Sequence, residues 1–226
     1  MPVKVKICGV RTVADARAAV DSGADFLGLN FHPASPRYLD EDTAASIAAA
    51  VSGVRLVGVF VDAPRADMER LAKRLALWGV QLHGDEQPAI CRGFEARTIT
   101  AIRARAGEDL AARAATYDTD YLLLDTFVAG QPGGTGVALD PVRAQGLASD
   151  RLVLAGGLRP ETAAAMEAAV SSSRYRGLAG WKFRPRKSAP LSAAARASAT
   201  VRTPQIFTFT GTPSAPATPR PDPALP

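Results

Sequence analysis

The chain has 226 residues, 47% of them hydrophobic, enough for one sizeable α/β domain with a real core. Its net charge of +5 is unevenly spread: residues 171–226 carry nine Lys/Arg against Asp222 alone, a net of +8, which leaves residues 1–170 at −3. The basic balance belongs to the C-terminal segment and says little about what the main body binds. Two cysteines, no signal-like start and no apolar run of membrane-spanning length give the expectation of a cytoplasmic protein with reduced thiols and no membrane partner.

In chain order, short β-branched runs at residues 3–8, 26–31, 56–61, 80–83, 98–102, 121–125 and 152–155 predict strands. Ala-rich stretches at 13–22, 41–51, 66–77, 108–117 and 160–170 predict helices, so residues 1–170 read as seven consecutive βα units. In "SGADFLGLNF" and "YDTDYLLLD" an aspartate stands immediately before the apolar run, punctuating the passage from helix to strand. Near-continuous apolar strands want both faces covered, which leaves an open doubly wound sheet or a closed (β/α)8 TIM barrel. The polar residues favour the barrel: Cys8, Asn30, Asp62, Gln81, His83, Arg103, Asp125 and the pair Gly156 and Gly157 all fall at C-terminal ends of strands, which in a barrel converge on one mouth.

At Ser171 the pattern stops. The last 56 residues hold nine of the seventeen prolines and end "GTPSAPATPRPDPALP", compositionally a disordered tail, so 1–170 is expected as the barrel domain and 171–226 as an atypical basic, Pro-rich segment. The eighth βα unit is missing from the text, although the run "PQIFTFTG" can form a strand and take its place in the sheet.

Several residues at the expected mouth can carry chemistry. Cys8 ends the first strand and reads either as a small buried hydrophobe or as a base or nucleophile. Asp125 ends "YLLLD", where an acid is costly unless it faces a polar mouth; it is either catalytic or a loop cap. Gly156 and Gly157 precede a helix starting near Pro160, and Gly134 lies in "GQPGGTG"; each can cradle a phosphate or simply form a tight turn. Arg37, in the long loop after the second strand, can clamp a carboxylate or sit in solvent. His32, His83 and Cys8 lack zinc-ligand spacing, so no metal is expected. Cys91 is placed in a helix after "DEQPAI", as packing.

These fragments in order, "KICG" at 6–9, "GADFLGLNFHPASPRY" at 23–38, "VGVFVD" at 57–62, "VQLHGDE" at 80–86, "LLLD" at 122–125, "GGTG" at 133–136 and "LAGGLRPE" at 154–161, closely resemble the phosphoribosylanthranilate isomerase family of tryptophan biosynthesis over residues 4–170. The resemblance implies a TIM barrel that carries out an Amadori rearrangement of N-(5-phosphoribosyl)anthranilate to 1-(2-carboxyphenylamino)-1-deoxyribulose 5-phosphate. It further implies Asp125 as general acid on the ribose ring oxygen, Cys8 as general base on the C2 proton, and Arg37 as the clamp on the anthranilate carboxylate. His83 lies at a mouth position with no assigned proton transfer. The phosphate is expected against Gly156, Gly157 and Gly134 together with the turn after strand eight, which in the family reads approximately "GVDVSSGVE" and is absent here. The chemistry is internal redox, so no cofactor is expected. The partner is a small phosphosugar rather than nucleic acid, and the chain is a monomer or homodimer.

The break also suggests a cause. If the Gly180 codon ends in G, a shift of one base beneath "GWKFRP" can spell Val-Glu-Val-Ser-Ser, close to the missing strand, which points to a frameshift shortly after Val170. A barrel so altered is expected to fold weakly. Alternatives are a catalytically impaired or noncatalytic barrel remnant, or another phosphosugar isomerase, which would lack the KICG cysteine. Nucleic-acid binding by the tail is disfavoured by its sparse aromatic interleaving.

Overall fold

The computed structural model describes residues 4–105, 107–126, 147, 151–155 and 205–209. Seven strands, β1 (Lys4–Cys8), β2 (Phe26–Asn30), β3 (Arg55–Phe60), β4 (Gly79–Leu82), β5 (Arg97–Ala104), β6 (Tyr121–Thr126) and β7 (Leu152–Leu154), run parallel in sequence order around a closed barrel. Helices α1 (Val13–Asp21), α2 (Glu41–Ala50), α3 (Arg65–Arg74) and α4 (Leu110–Ala115) lie between strands, as the alternation requires. Three of the four begin on side-chain caps: Thr12 and Asp15 form a reciprocal box at α1, while Asp40 and Asp109 cap α2 and α4.

The ring is closed by β8 (Gln205–Phe209), from the C-terminal segment, and β8 runs antiparallel to both of its neighbours. It pairs with β1 over five residues, from Cys8 opposite Gln205 to Lys4 opposite Phe209, and with β7 over two. Its Gln-Ile-Phe-Thr-Phe sequence suits a strand. Without it β1 and β7 would each present an open edge. The barrel is therefore seven parallel strands plus one inserted strand, and among the described residues no parallel eighth unit exists. The predicted helix at 160–170 and the boundary at residue 170 lie outside the described residues.

Two expectations need correction. Residues between β4 and β5 form turns rather than a helix, so Cys91 sits in a turn, its Sγ 3.4 Å from the Gln87 carbonyl oxygen it donates to, though it is buried as packing requires. The segment "DEQPAICRGF" carries Pro88 and Gly93 around only four residues, too few for a helix to start. α4 is likewise shorter than its Ala-rich text, because Asp109 caps it late and Thr116 ends it.

The two punctuating aspartates do similar work. Asp25, just before β2, accepts from the Val5 N–H at 3.0 Å and pairs with Lys4 at 2.7 Å, tying β2 to β1. Asp120, just before β6, accepts from the Thr98 N–H at 2.9 Å and pairs with Arg97 at 2.7 Å, tying β6 to β5.

The strand register sorts side chains into two shells. One set, Leu27, Leu29, Phe60, Val80 and Leu82 among them, packs outward under the helices. The alternate set, in register from Lys6 opposite Phe26 to Leu123 opposite Val153, fills the lumen. The lumen floor is aromatic: Trp78 lies between Phe26 and Tyr121, with ring centroids 4.9 and 5.7 Å away. Arg55 lies over the Phe26 and Trp78 rings, and the polar groups of the mouth stand above that floor.

Candidate active site

Above the aromatic floor the lumen changes character because β1, β4 and β6 each send polar residues inward. Period-two alternation puts Lys6 and Cys8 on one face of β1, and Gln81 and His83 on one face at the end of β4. Asp125 stands opposite Arg103 in the β5–β6 register, near the C-terminal end of β6. Cys8, His83 and Asp125 are all buried, and Lys6 is wholly enclosed.

These groups form one directed chain of hydrogen bonds. Lys6 Nζ donates to Gln81 Oε1 at 2.8 Å, which turns the Gln81 amide nitrogen toward His83. Gln81 Nε2 donates to His83 Nδ1 at 2.6 Å, so the ring proton is on Nε2, which donates to Asp125 Oδ2 at 3.2 Å. The other carboxyl oxygen, Oδ1, accepts from the Thr126 N–H at 2.8 Å. Both Asp125 oxygens therefore have donors, an arrangement that stabilises the carboxylate left after the acid has given up a proton.

Gly28 makes room for the base. A Cβ at that position would lie 2.5 Å from Cys8 Sγ and 3.0 Å from Lys6 Nζ, so only glycine lets both side chains fold over β2. At the rim, Gly9 adopts a positive φ of 87°, and a Cβ there would collide with the Arg37 side chain. Arg37 thus lies across the end of β1, beside Cys8, and is half-buried. Its loop is pinned to the end of β2 by Leu39 N–H donating to the Asn30 carbonyl, and is braced internally by Arg37 N–H donating to Ser35 Oγ.

Other rim groups serve one another. Arg103 pairs with Asp85 at 2.8 Å, and the Glu86 carboxylate accepts from the N–H groups of Asp62 and Gly84. Burial pushes the Glu86 carboxyl above its ordinary value. Asn30 accepts from the His32 N–H. No three His, Cys, Asp or Glu side chains gather as a metal site among the described residues.

Four sequence-expected residues, Cys8, Arg37, His83 and Asp125, thus come together at one mouth. Gly134, Gly156 and Gly157 lie outside the described residues. Lys6 and Gln81 complete the network without having been assigned a role. For Lys6 the usable signal was parity, since a residue two before Cys8 on a strand shares its face.

Comparison with known proteins agrees with this geometry. The family model for N-(5'-phosphoribosyl)anthranilate isomerase matches residues 5–177. The chain is 44% identical over 171 residues to the N-(5'-phosphoribosyl)anthranilate isomerase of Pseudomonas fluorescens strain Pf-5, covering 74% of this chain and 81% of that protein. It is similar to the crystal structure of the Thermotoga maritima enzyme, with a TM-score of 0.67 and 32% identity over 75% of this chain and 84% of that one. A further solved phosphoribosyl anthranilate isomerase, in complex with reduced 1-(o-carboxyphenylamino)-1-deoxyribulose 5-phosphate, matches with a TM-score of 0.64 and 32% identity, over 75% and 83% of the two chains. With the barrel, its thiol and its carboxyl at one mouth, and a family model spanning all seven parallel strands, the chain belongs to the phosphoribosylanthranilate isomerase family.

Proposed function

We propose that this chain isomerises N-(5-phosphoribosyl)anthranilate to 1-(2-carboxyphenylamino)-1-deoxyribulose 5-phosphate, with Asp125 as general acid and Cys8 as general base. Asp125 gives its proton to the ribose ring oxygen as the C1–O bond breaks and the anilino nitrogen lone pair forms a C1–N iminium. Cys8, as thiolate, removes the C2 proton; the C–H electrons form the C1–C2 double bond of an enolamine and the iminium pair returns to nitrogen. Tautomerisation then gives the ketone. One proton leaves the protein and one enters it, so no external redox partner is required.

The observation that carries this reading is the shared mouth: a buried thiol on β1 and a buried carboxyl on β6, the latter held by His83 Nε2 and the Thr126 N–H. Arg37, across Gly9 at the same rim, is suited to the anthranilate carboxylate by its planar two-pronged fork. His83 orients Asp125 and fixes its own tautomer through Gln81.

Turnover of phosphoribosylanthranilate, followed as loss of anthranilate fluorescence, tests the assignment beside Cys8→Ala and Asp125→Asn. Each substitution is expected to lower kcat by about 10²- to 10⁴-fold; unchanged turnover in either variant refutes the role given to that residue. A second reading, a barrel of impaired activity, is favoured by the reversed direction of β8. It predicts that turnover is weak in this chain and rises when a parallel eighth strand and its following turn are restored.

A further inference from the structure

We propose that Lys6 is a positioning residue for the isomerisation: its enclosed ammonium holds Cys8 in the thiolate form that accepts the proton, and exchanges that counter-anion for Asp125 as the reaction proceeds. The proposal rests on the roles given above to Cys8 and Asp125.

The geometry is specific. Lys6 is among the largest fully buried side chains of the described residues and sits in the lumen, where a lone ammonium is costly. Its Nζ and the Cys8 Sγ approach the same point above Gly28, at 3.0 and 2.5 Å, so the two atoms are no more than the sum of those distances, 5.5 Å, apart. Burial pushes the Lys6 ammonium below its ordinary value, while attraction and a hydrogen bond from Cys8, and attraction from Asp125, pull it back. Of the other lumen strands, β4 adds the uncharged Gln81 and His83, and β5 adds Arg103, already paired with Asp85 at the rim. Lys4 and Tyr121 lie toward the floor, Lys4 paired with Asp25. Toward the floor, Arg55 of β3 lies over the Phe26 and Trp78 rings and Arg97 of β5 is paired with Asp120, while the described residues of β2 and β7 include no titratable side chain. The two anions that Lys6 can serve are therefore the two reacting groups.

The proton inventory explains why one cation suffices. Before reaction the thiolate of Cys8 balances Lys6 while Asp125 carries its proton. After ring opening both side chains are anionic, and the substrate iminium supplies the second positive charge. Once Cys8 has taken the C2 proton, Asp125 is the remaining anion, linked to Lys6 through Gln81 and His83. Lys6 never gives up its proton, and at each stage the positive and negative charges among Lys6, Cys8, Asp125 and the C1–N group are equal in number.

The test uses the full chain with Lys6→Met, read by two signals. The first is thiolate ultraviolet absorbance at neutral pH, taken as the difference between each protein and its Cys8→Ala counterpart. The second is the pH profile of kcat. The unsubstituted chain is expected to show the thiolate signal, and Lys6→Met to lose it, with the acid limb of the kcat profile moved up by about 1 to 3 pH units and KM little changed. A thiolate signal that survives Lys6→Met, or an acid limb that does not move, overturns the proposal. So does absence of the signal from the unsubstituted chain, an outcome that needs no Lys6 variant to fold. Undiminished turnover in Cys8→Ala would instead remove the catalytic assignment itself, which separates the two failures.

Discussion

Gly28→Ala places one methyl group against the reacting thiol and makes a quantitative test of the site. The new Cβ would sit 2.5 Å from Cys8 Sγ and 3.0 Å from both Cys8 Cβ and Lys6 Nζ. Ordinary contacts of this kind need about 3.5–4.0 Å, so Sγ must retreat by roughly 1 Å, and Nζ by about half as much. A shift of about 1 Å at a reacting atom costs on the order of 10²-fold in rate. Overpacking adds a stability cost of about 1–3 kcal/mol, which in a domain of this size lowers Tm by roughly 2–12 °C. The assay is kcat from anthranilate fluorescence beside thermal unfolding by circular dichroism. A double-mutant cycle with Cys8→Ala, which deletes Sγ, should recover part of the stability loss. If Gly28→Ala leaves kcat and Tm unchanged, or if the Cys8→Ala background recovers nothing, the thiol is not packed against residue 28 and the reasoning fails.

Arg37→Ala is expected to raise KM by about 10- to 100-fold, the loss of a charge-assisted hydrogen-bond pair, with a smaller change in kcat; Arg37→Lys should not restore it, because an ammonium lacks the fork. Asp120→Asn should destabilise by about 2 kcal/mol at neutral pH, measured by denaturant unfolding. Burial raises the Asp120 carboxyl, but bonds from Thr98 and Arg97 outweigh it and leave a value below the ordinary one. A depressed carboxylate stabilises the fold above the unfolded value of about 3.9 and loses that contribution as pH falls through the folded one, so the difference between Asp120→Asn and the parent should shrink in acid. Ending the chain after Pro204 removes β8 and exposes β1 and β7 as open edges; light scattering and thermal unfolding should report aggregation and loss of the cooperative transition, whereas an unchanged transition would show that β8 contributes nothing to closure.

The parallel strands were readable because each βα unit is a local pattern: an apolar run, a helix with an acidic cap, an aspartate before the next strand. Cys8, His83 and Asp125 were readable for a related reason, since barrel topology carries strand ends to one mouth whatever their separation in sequence. Lys6 is not marked by its local sequence, because Lys4 and Lys6 together look like the exposed alternation of an ordinary strand. Only closure of the barrel shows that their face is the lumen, where Lys4 reaches Asp25 at the end away from the mouth and Lys6 is sealed between Gln81 and Cys8. The turn at Cys91 failed for the opposite reason: its text resembles a short helix, and β5, starting at Arg97, leaves no length for one. The strand at residues 205–209 was readable as a strand, but its direction was not, because antiparallel insertion depends on which edges are left open.

That direction bears on binding. In the parallel strands every C-terminal end lies at the mouth, but in β8 it is Gln205, the first residue, that stands opposite Cys8, while Phe209 stands opposite Lys4 at the far face. A turn following β8 therefore begins at the wrong end of the barrel to hold a phosphate beside Cys8 and Asp125. The half of the phosphate site that the family resemblance assigns to that turn cannot be supplied by this strand, whereas the thiol, the carboxyl and Arg37 need nothing from it. A phosphate far from C1 and C2 acts on the chemistry only through binding and positioning. If it contributes equally to ground and transition states, its loss raises KM and spares kcat; if it also holds the ribose against Cys8, both suffer. The ratio of the two effects, in this chain against one with a parallel eighth strand, measures how far positioning at the mouth depends on the phosphate and how far on the Arg37 clamp.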